Sequence, residues 1–225
     1  MLNTLTEIAV VLDRSGSMES ARTDTIGGFN TFLAEQVDDA GDVNVTLAQF
    51  DNEYDVVYLR EPIRQAPRLT ADTYVPRGTT ALLDAIGRTI DELGARLAAM
   101  PEGERPGKVI FVIVTDGLEN ASCTYTREQV FERIRHQADV YGWEFVYLGA
   151  KQDAIAAGAQ VGIDARFSLS CADGEVATQE LYRSLARNVK MRRSGSKADM
   201  RWEVEDRKIQ RDQGASDGAG GGPVA

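Results

Sequence analysis

Two short runs of mostly branched apolar residues, Ile8-Ala-Val-Val-Leu12 and Val109-Ile-Phe-Val-Ile-Val114, each give way within two residues to an aspartate, Asp13 and Asp116. Runs this short, without polar alternation, are the pattern of strands buried on both faces, which occur in sheets covered by helices on either side. The pattern between and after them agrees. Ile26, Phe29, Leu33 and Val37 recur at helical spacing, with Thr23, Asp24 or Thr25 placed to cap the helix. Residues 43–50 alternate as a strand. Asp51-Asn-Glu53 reads as a turn into a second strand over 54–59, which makes an edge hairpin the expectation.

Pro62, Pro67 and Pro76 punctuate an irregular stretch ending at Gly78. Leu82, Ile86, Ile90, Leu93 and Leu97 then mark one face of a helix, and Val130, Ile134, Ala138 and Tyr141 mark another. Further along, 143–148 reads as a strand, 153–160 as a helix, 166–170 as a weak strand and 175–191 as a last helix. This alternation implies an α/β fold: a doubly wound, mostly parallel, Rossmann-like sheet of about six strands, with one antiparallel edge strand and helices on both faces. Ligands of such sheets bind beyond the carboxyl ends of the strands, where strand order reverses. Asp13 and Asp116 therefore mark the place to look. One domain over 1–191 is expected, followed over 192–225 by a mixed-charge and glycine-rich flexible tail, since DQGASDGAGGGPVA offers nothing to pack.

Composition removes several classes of function. Twenty-five basic against 35 acidic residues leave a net charge of −10, which repels phosphate backbones and argues against general nucleic-acid binding. Two cysteines, Cys123 and Cys171, and the single His136 are too few for a disulfide framework, a Cys/His zinc site or the usual histidine-based hydrolase. No run approaches the roughly 18 apolar residues of a membrane span. A cytoplasmic protein that engages no membrane is the expectation.

The first aspartate opens Asp13-Arg14-Ser15-Gly16-Ser17. Oxygens at 13, 15 and 17 are spaced by two, so an extended loop can bring them to one side, and Gly16 allows the backbone to fold tightly. Carboxylate and hydroxyl oxygens are hard ligands of the kind magnesium takes, with water filling the remaining positions. A serine-rich helix cap would account for one of these serines but not for the whole set.

These residues resemble the metal-ion-dependent adhesion site (MIDAS) of von Willebrand factor A (VWA) domains, in particular the intracellular bacterial type. Asp13, Ser15 and Ser17 match its first loop. Arg77-Gly-Thr-Thr-Ala-Leu-Leu-Asp-Ala-Ile86 resembles its threonine loop and the helix that follows, and Val112-Ile-Val-Thr-Asp116-Gly117 resembles its third loop. The three lie in the family's order over roughly residues 6–149. The resemblance implies a metal held by Asp13, Ser15, Ser17, Thr80 and Asp116, with Thr79 as the alternative threonine. Ala85 and Ile86 stand at plus five and plus six from Thr80, which is the family spacing. Magnesium is the implied ion, with manganese second. The implied function is metal-bridged binding of a protein partner that presents an Asp or Glu, in an intracellular adaptor acting with an ATP-driven remodelling machine.

Other features read as structural. Asp51 is expected to be a hairpin-turn residue, Glu119 and Asn120 caps of the helix that follows them, and Asp84 either a surface residue or one that supports the ligands from behind. The basic stretch from Arg183 to Lys197 is expected to be a solvated mixed-charge face, since Glu203, Glu205 and Asp206 follow it. The rival reading is a magnesium-dependent phosphoryl-transfer enzyme or hydrolase on a similar sheet. Such hydrolases resemble Asp-x-Asp at the first strand, whereas Ser15 stands here and cannot act as a general acid at neutral pH. No Walker lysine loop and no Gly-x-Gly-x-x-Gly follows the first strand. The chain is therefore read as a binding domain and not an enzyme, with no catalytic residue assigned.

Overall fold

The two apolar runs become the centre of the sheet. The computed structural model describes residues 2–37, 41–150, 153–172 and 174–218. Strand β1 (Leu2–Asp13) lies between β2 (Val43–Phe50) and β4 (Pro106–Thr115), parallel to both. β3 (Tyr54–Pro62) pairs antiparallel with β2 at one edge, and β5 (Glu144–Ala150) and β6 (Ser168–Cys171) extend the other side in parallel, giving the order β3-β2-β1-β4-β5-β6. This is the six-stranded, mostly parallel sheet with an antiparallel edge strand that the sequence implies. The chain winds outward from β1 to β3 and then crosses back to β4 on β1's other side. Strand order therefore reverses between β1 and β4, the place where such sheets bind ligands.

Residues 8–12 and 110–113 are at most 1% exposed, because alternate side chains enter two separate cores. Ile8, Val10, Leu12, Ile110, Val112 and Val114 pack under α1 (Arg22–Val37) and α5 (Glu175–Arg193). Ala9, Val11, Val109, Phe111 and Ile113 pack under α2 (Leu82–Ala99), α3 (Arg127–Tyr141) and α4 (Ala154–Gln160). Burying one such aliphatic side chain contributes about 1.5–3 kcal/mol, against about 1 kcal/mol net for a hydrogen bond. The two apolar faces, more than any loop contact, therefore decide where β1 and β4 sit. Leu82, Ile86, Ile90, Leu93 and Leu97 are all buried, as their spacing requires, whereas Tyr141 is exposed at the end of α3. Among the described residues, no helix is long and apolar enough to cross a membrane.

Packing continues beyond the point where the periodicity fades. After α5, Lys197 is buried and bonds Asn188 Oδ1 and the Arg201 carbonyl, and Met200 and Trp202 enter the core. α6 (Val204–Gly218) follows, with buried Asp206 accepting from Arg187, from Asn188 Nδ2 at 3.1 Å and from Glu203 N at 3.0 Å. Apart from Met200 and Trp202 these fastenings are polar, so a search for apolar spacing does not register them. Residues 219–225 lie outside the described residues. Arg193 is buried too: its guanidinium donates to Gln36 O at 3.0 Å and Gln36 Oε1 at 2.9 Å, tying the end of α5 to the end of α1. Of the basic stretch, Arg183, Arg187 and Lys190 are exposed as expected, whereas Arg193 and Lys197 are buried and the half-buried Arg192 pairs with Glu144 at 2.6 Å.

α1 and α5 approach so closely that a Cβ on Gly28 would overlap the Tyr182 ring, whereas one on Gly27 would meet nothing within 4 Å. The two glycines should therefore respond oppositely. Gly28→Ala is expected to destabilise by about 1–3 kcal/mol through overpacking. Gly27→Ala is expected to be neutral or to stabilise by up to about 1 kcal/mol, through helix propensity. Urea unfolding of both variants checks this; equal responses would contradict the packing.

Candidate metal centre

The register of the two central strands builds the site. Leu12 pairs with Val114, so the next residue of each strand, Asp13 and Thr115, come level as the strands end. Thr115 Oγ1 donates to Asp13 Oδ2 at 2.6 Å, and the Ser15 amide donates to Asp13 Oδ1 at 2.6 Å, closing a tight turn. Ser17 Oγ donates to Asp116 Oδ1 at 2.5 Å and lies 3.1 Å from Ser15 Oγ. Gly117 shows where the oxygens converge: a Cβ there would stand 3.0 Å from Thr80 Oγ1, 3.2 Å from Ser17 Oγ and 3.6 Å from Ser15 Oγ. Thr80 is buried and faces this point, and Thr79 is exposed. The structure therefore gathers Asp13, Ser15, Ser17, Thr80 and Asp116 from three loops, and of the two threonines it brings in Thr80.

Backbone contacts hold the loops in place. Arg14 N donates to Phe50 O (2.8 Å), Arg77 N to Arg14 O (2.8 Å) and Gly16 N to Gly78 O (3.2 Å), so the first loop is fastened to the end of β2 and to the threonine loop. Gly78 has φ +66, a left-handed conformation, and a side chain there would collide with Asn52. Tyr74 OH donates to Asp13 O at 2.6 Å from beneath. Asn120 clasps Thr80 on both sides: its Oδ1 accepts from Thr80 N (2.9 Å), and its N donates to Thr80 O (3.0 Å). Glu119 Oε2 accepts from Leu83 N (2.9 Å) in the first turn of α2. Glu119 and Asn120 thus look back to α2 and Thr80. The following helix, α3, is capped instead by a Thr126–Gln129 capping box. Asp84, in α2, returns the contact by accepting from the amides of Cys123, Thr124 and Tyr125.

Asp51 is more than a turn residue. Fully buried, its Oδ2 accepts from Arg14 Nε (3.0 Å) and Arg77 Nε (2.8 Å), its Oδ1 from Glu53 N (2.6 Å), and its carbonyl from Ala81 N (2.8 Å). One carboxylate therefore binds the first loop, the threonine loop and the hairpin turn together. Its burial would raise its pKa, but the hydrogen bonds and charges of Arg77 and Arg14, with the Glu53 amide, hold it below the ordinary carboxylate range. Spacing in the sequence does not reveal this role. The available signal was that two of the three ligand-bearing loops carry an arginine, Arg14 and Arg77, whose charge must be met elsewhere if a cation is to sit nearby.

Asp13 lies in the opposite environment. Burial pushes its carboxyl up to about 6, the hydrogen bonds of Thr115 and Ser15 pull it down, and the charge of Asp116 adds to the rise. Two carboxylates and three neutral hydroxyls, all hard oxygen donors, fit a small divalent cation. Among the described residues no group of three or more His, Cys, Asp or Glu could hold a metal ion.

Solved structures share the architecture. The proximal thread matrix protein 1 of mussel byssus, described with a zinc-occupied MIDAS motif, is 15% identical with a TM-score of 0.59, over 83% of this chain and 48% of that one. A von Willebrand factor type A protein from Catenulispora acidiphila is 17% identical with a TM-score of 0.55, over 84% and 43%. This chain has the von Willebrand factor A fold. The manganese-loaded TRAP protein of Plasmodium vivax is also similar to this VWA fold, at 16% identity and a TM-score of 0.53, over 76% and 70%. The chain spans less than half the length of the first two of these. No family model matches its sequence, and no curated protein does.

The Asp51 clamp should govern the metal centre without touching it. Asp51→Asn leaves Arg14 and Arg77 without their shared anion beside the ligand loops. Calorimetric titration with Mn2+ is expected to show affinity about 10–100-fold weaker, the usual effect of losing a group that supports ligands. Unchanged affinity would show that the clamp does not position the ligands.

Proposed function

We propose that this VWA domain is a divalent-cation-dependent protein-binding module and not an enzyme, with Asp13, Ser15, Ser17, Thr80 and Asp116 holding the cation. The convergence of three hydroxyls on Gly117, beside the two aspartates, carries this reading. Magnesium is the proposed ion, with manganese able to replace it, since both accept hard oxygens and open positions. Asp13 and Asp116 can together offset a divalent charge, while the hydroxyls, being neutral, leave the ion electron-poor. When bound, the ion supplies Lewis acidity and at least one water-filled position that a partner's Asp or Glu can take.

The chain's residues do the rest. Ser17 and Thr80 present their oxygens at the end of the sheet, Tyr74 and Thr115 hold Asp13 in place, and Asp51 keeps Arg14 and Arg77 engaged away from the ligands. The partner is proposed to be a protein with an acidic residue, recognised by an adaptor working in the cytoplasm with an ATP-driven remodelling machine. That part of the proposal rests on the motif resemblance alone. The exposed Cys123 is compatible with a reducing compartment.

Asp13→Ala and Asp116→Ala should keep the circular-dichroism spectrum and lose calorimetrically measured Mn2+ binding. Thr80→Ala should weaken the same titration, and Thr79→Ala should leave it unchanged. Wild-type Mn2+ affinity in both aspartate variants would refute the site.

A further inference from the structure

A cleft of about 270 Å³ with a mixed lining opens beside the metal centre: Gly117, Leu118 and Val161 contribute apolar surface, and Glu119, Arg127 and Gln160 contribute polar groups. Gly117 belongs to both places: it lines the cleft, and the three ligand hydroxyls converge on it. Leu118, the next residue, is 71% exposed. A lone exposed leucine means little, but this one lines the cleft and adjoins Gly117, on which the ligand hydroxyls converge. Arg127 is exposed at the first position of α3, and Glu119, the carboxylate that shares the cleft with it, accepts from Leu83 N, Ala121 N and Ser122. The other arginines of this end of the sheet, Arg14 and Arg77, are engaged by Asp51, Asp55 and Glu53.

We infer that the partner segment is acidic and apolar together. Its carboxylate goes to the cation, and an apolar side chain within about two positions of it seats in the cleft against Leu118, a spacing set by the alternation of side chains along an extended peptide. A second acidic residue on the same segment pairs with Arg127. This rests on the function proposed above and adds the partner's chemistry to it. The physical need is clear from charge. At −10 the chain repels acidic partners at long range, so a carboxylate on the cation must be supplemented by a contact that charge does not oppose. Burying one leucine-sized side chain is worth about tenfold to a hundredfold in affinity.

The test is a displayed library of random linear peptides around a fixed aspartate, panned against the full chain in Mn2+ and eluted with EDTA. The expected pool is enriched in Leu, Ile, Phe or Met within about two positions of the aspartate. A synthetic peptide of that consensus should bind Leu118→Ser at least about tenfold more weakly, while Leu118→Ser keeps the wild-type Mn2+ titration. Arg127→Glu should reduce enrichment of a second acidic residue. Both side chains are exposed, so neither change threatens the fold. An EDTA-eluted pool without apolar preference, or an unchanged affinity in Leu118→Ser, overturns the cleft assignment alone. No EDTA-eluted peptides from a chain that still titrates with Mn2+ overturns the bridging function and the cleft with it.

Discussion

The parallel, in-register pairing of β1 with β4 is the constraint on which the rest depends. From Glu7/Val109 to Leu12/Val114 the two strands advance together, so they run out at the same edge and deliver Asp13 and Thr115 side by side, with Asp116 next. Because a one-residue slip would turn every side chain to the opposite face, and residues 8–12 and 109–114 are apolar on both faces, such a slip still buries apolar groups there. It would, however, separate Asp13 from Thr115 and Asp116. The register is therefore supported at the loop end as well, by the 2.6 Å bond from Thr115 to Asp13 and the 2.5 Å bond from Ser17 to Asp116.

Charge is partitioned at this end of the sheet. Asp51 and Asp13 are both buried aspartates at strand ends, yet one is surrounded by two guanidinium groups and the other by hydroxyls and another carboxylate. The first is neutralised within the protein and acts as a tie between loops. The second has no ion pair with a side-chain cation among the described residues, which is the condition for attracting a cation from solution. Exchanging the arginines between these environments would fill the site from within.

The helices on the two faces are secured differently. Around α2 and α3 the fastening is apolar and periodic, with Asp84 and Glu119 joining α2 to the third loop. Around α1, α5 and α6 it is mixed: Phe29, Phe32, Leu181, Tyr182 and Leu185 share the interface with buried Gln36, Asn188, Arg193, Lys197 and Asp206. Such buried polar groups cost free energy unless they are satisfied. Their mutual hydrogen bonds therefore specify how α5 and α6 lie, in a way that apolar area alone does not.

The order of strands and helices, the two-layered cover and the three oxygen-bearing loops were determined by the sequence, because local periodicity and residue type encode burial and ligand chemistry directly. Its local patterns could not choose between Thr79 and Thr80 by chemistry, since both are threonines at a helix start. The tertiary structure buries Thr80 under Asn120, beside the serine hydroxyls, and leaves Thr79 in solvent. Nor could they show Asp51 joining residues 26 and 37 positions away, Glu119 turning back to α2, or the chain after Arg193 fastening itself through Lys197 and Asp206. These are long-range pairings between polar groups. Their partners are fixed by where the backbone has been brought, and a pattern of neighbouring residues carries no record of it.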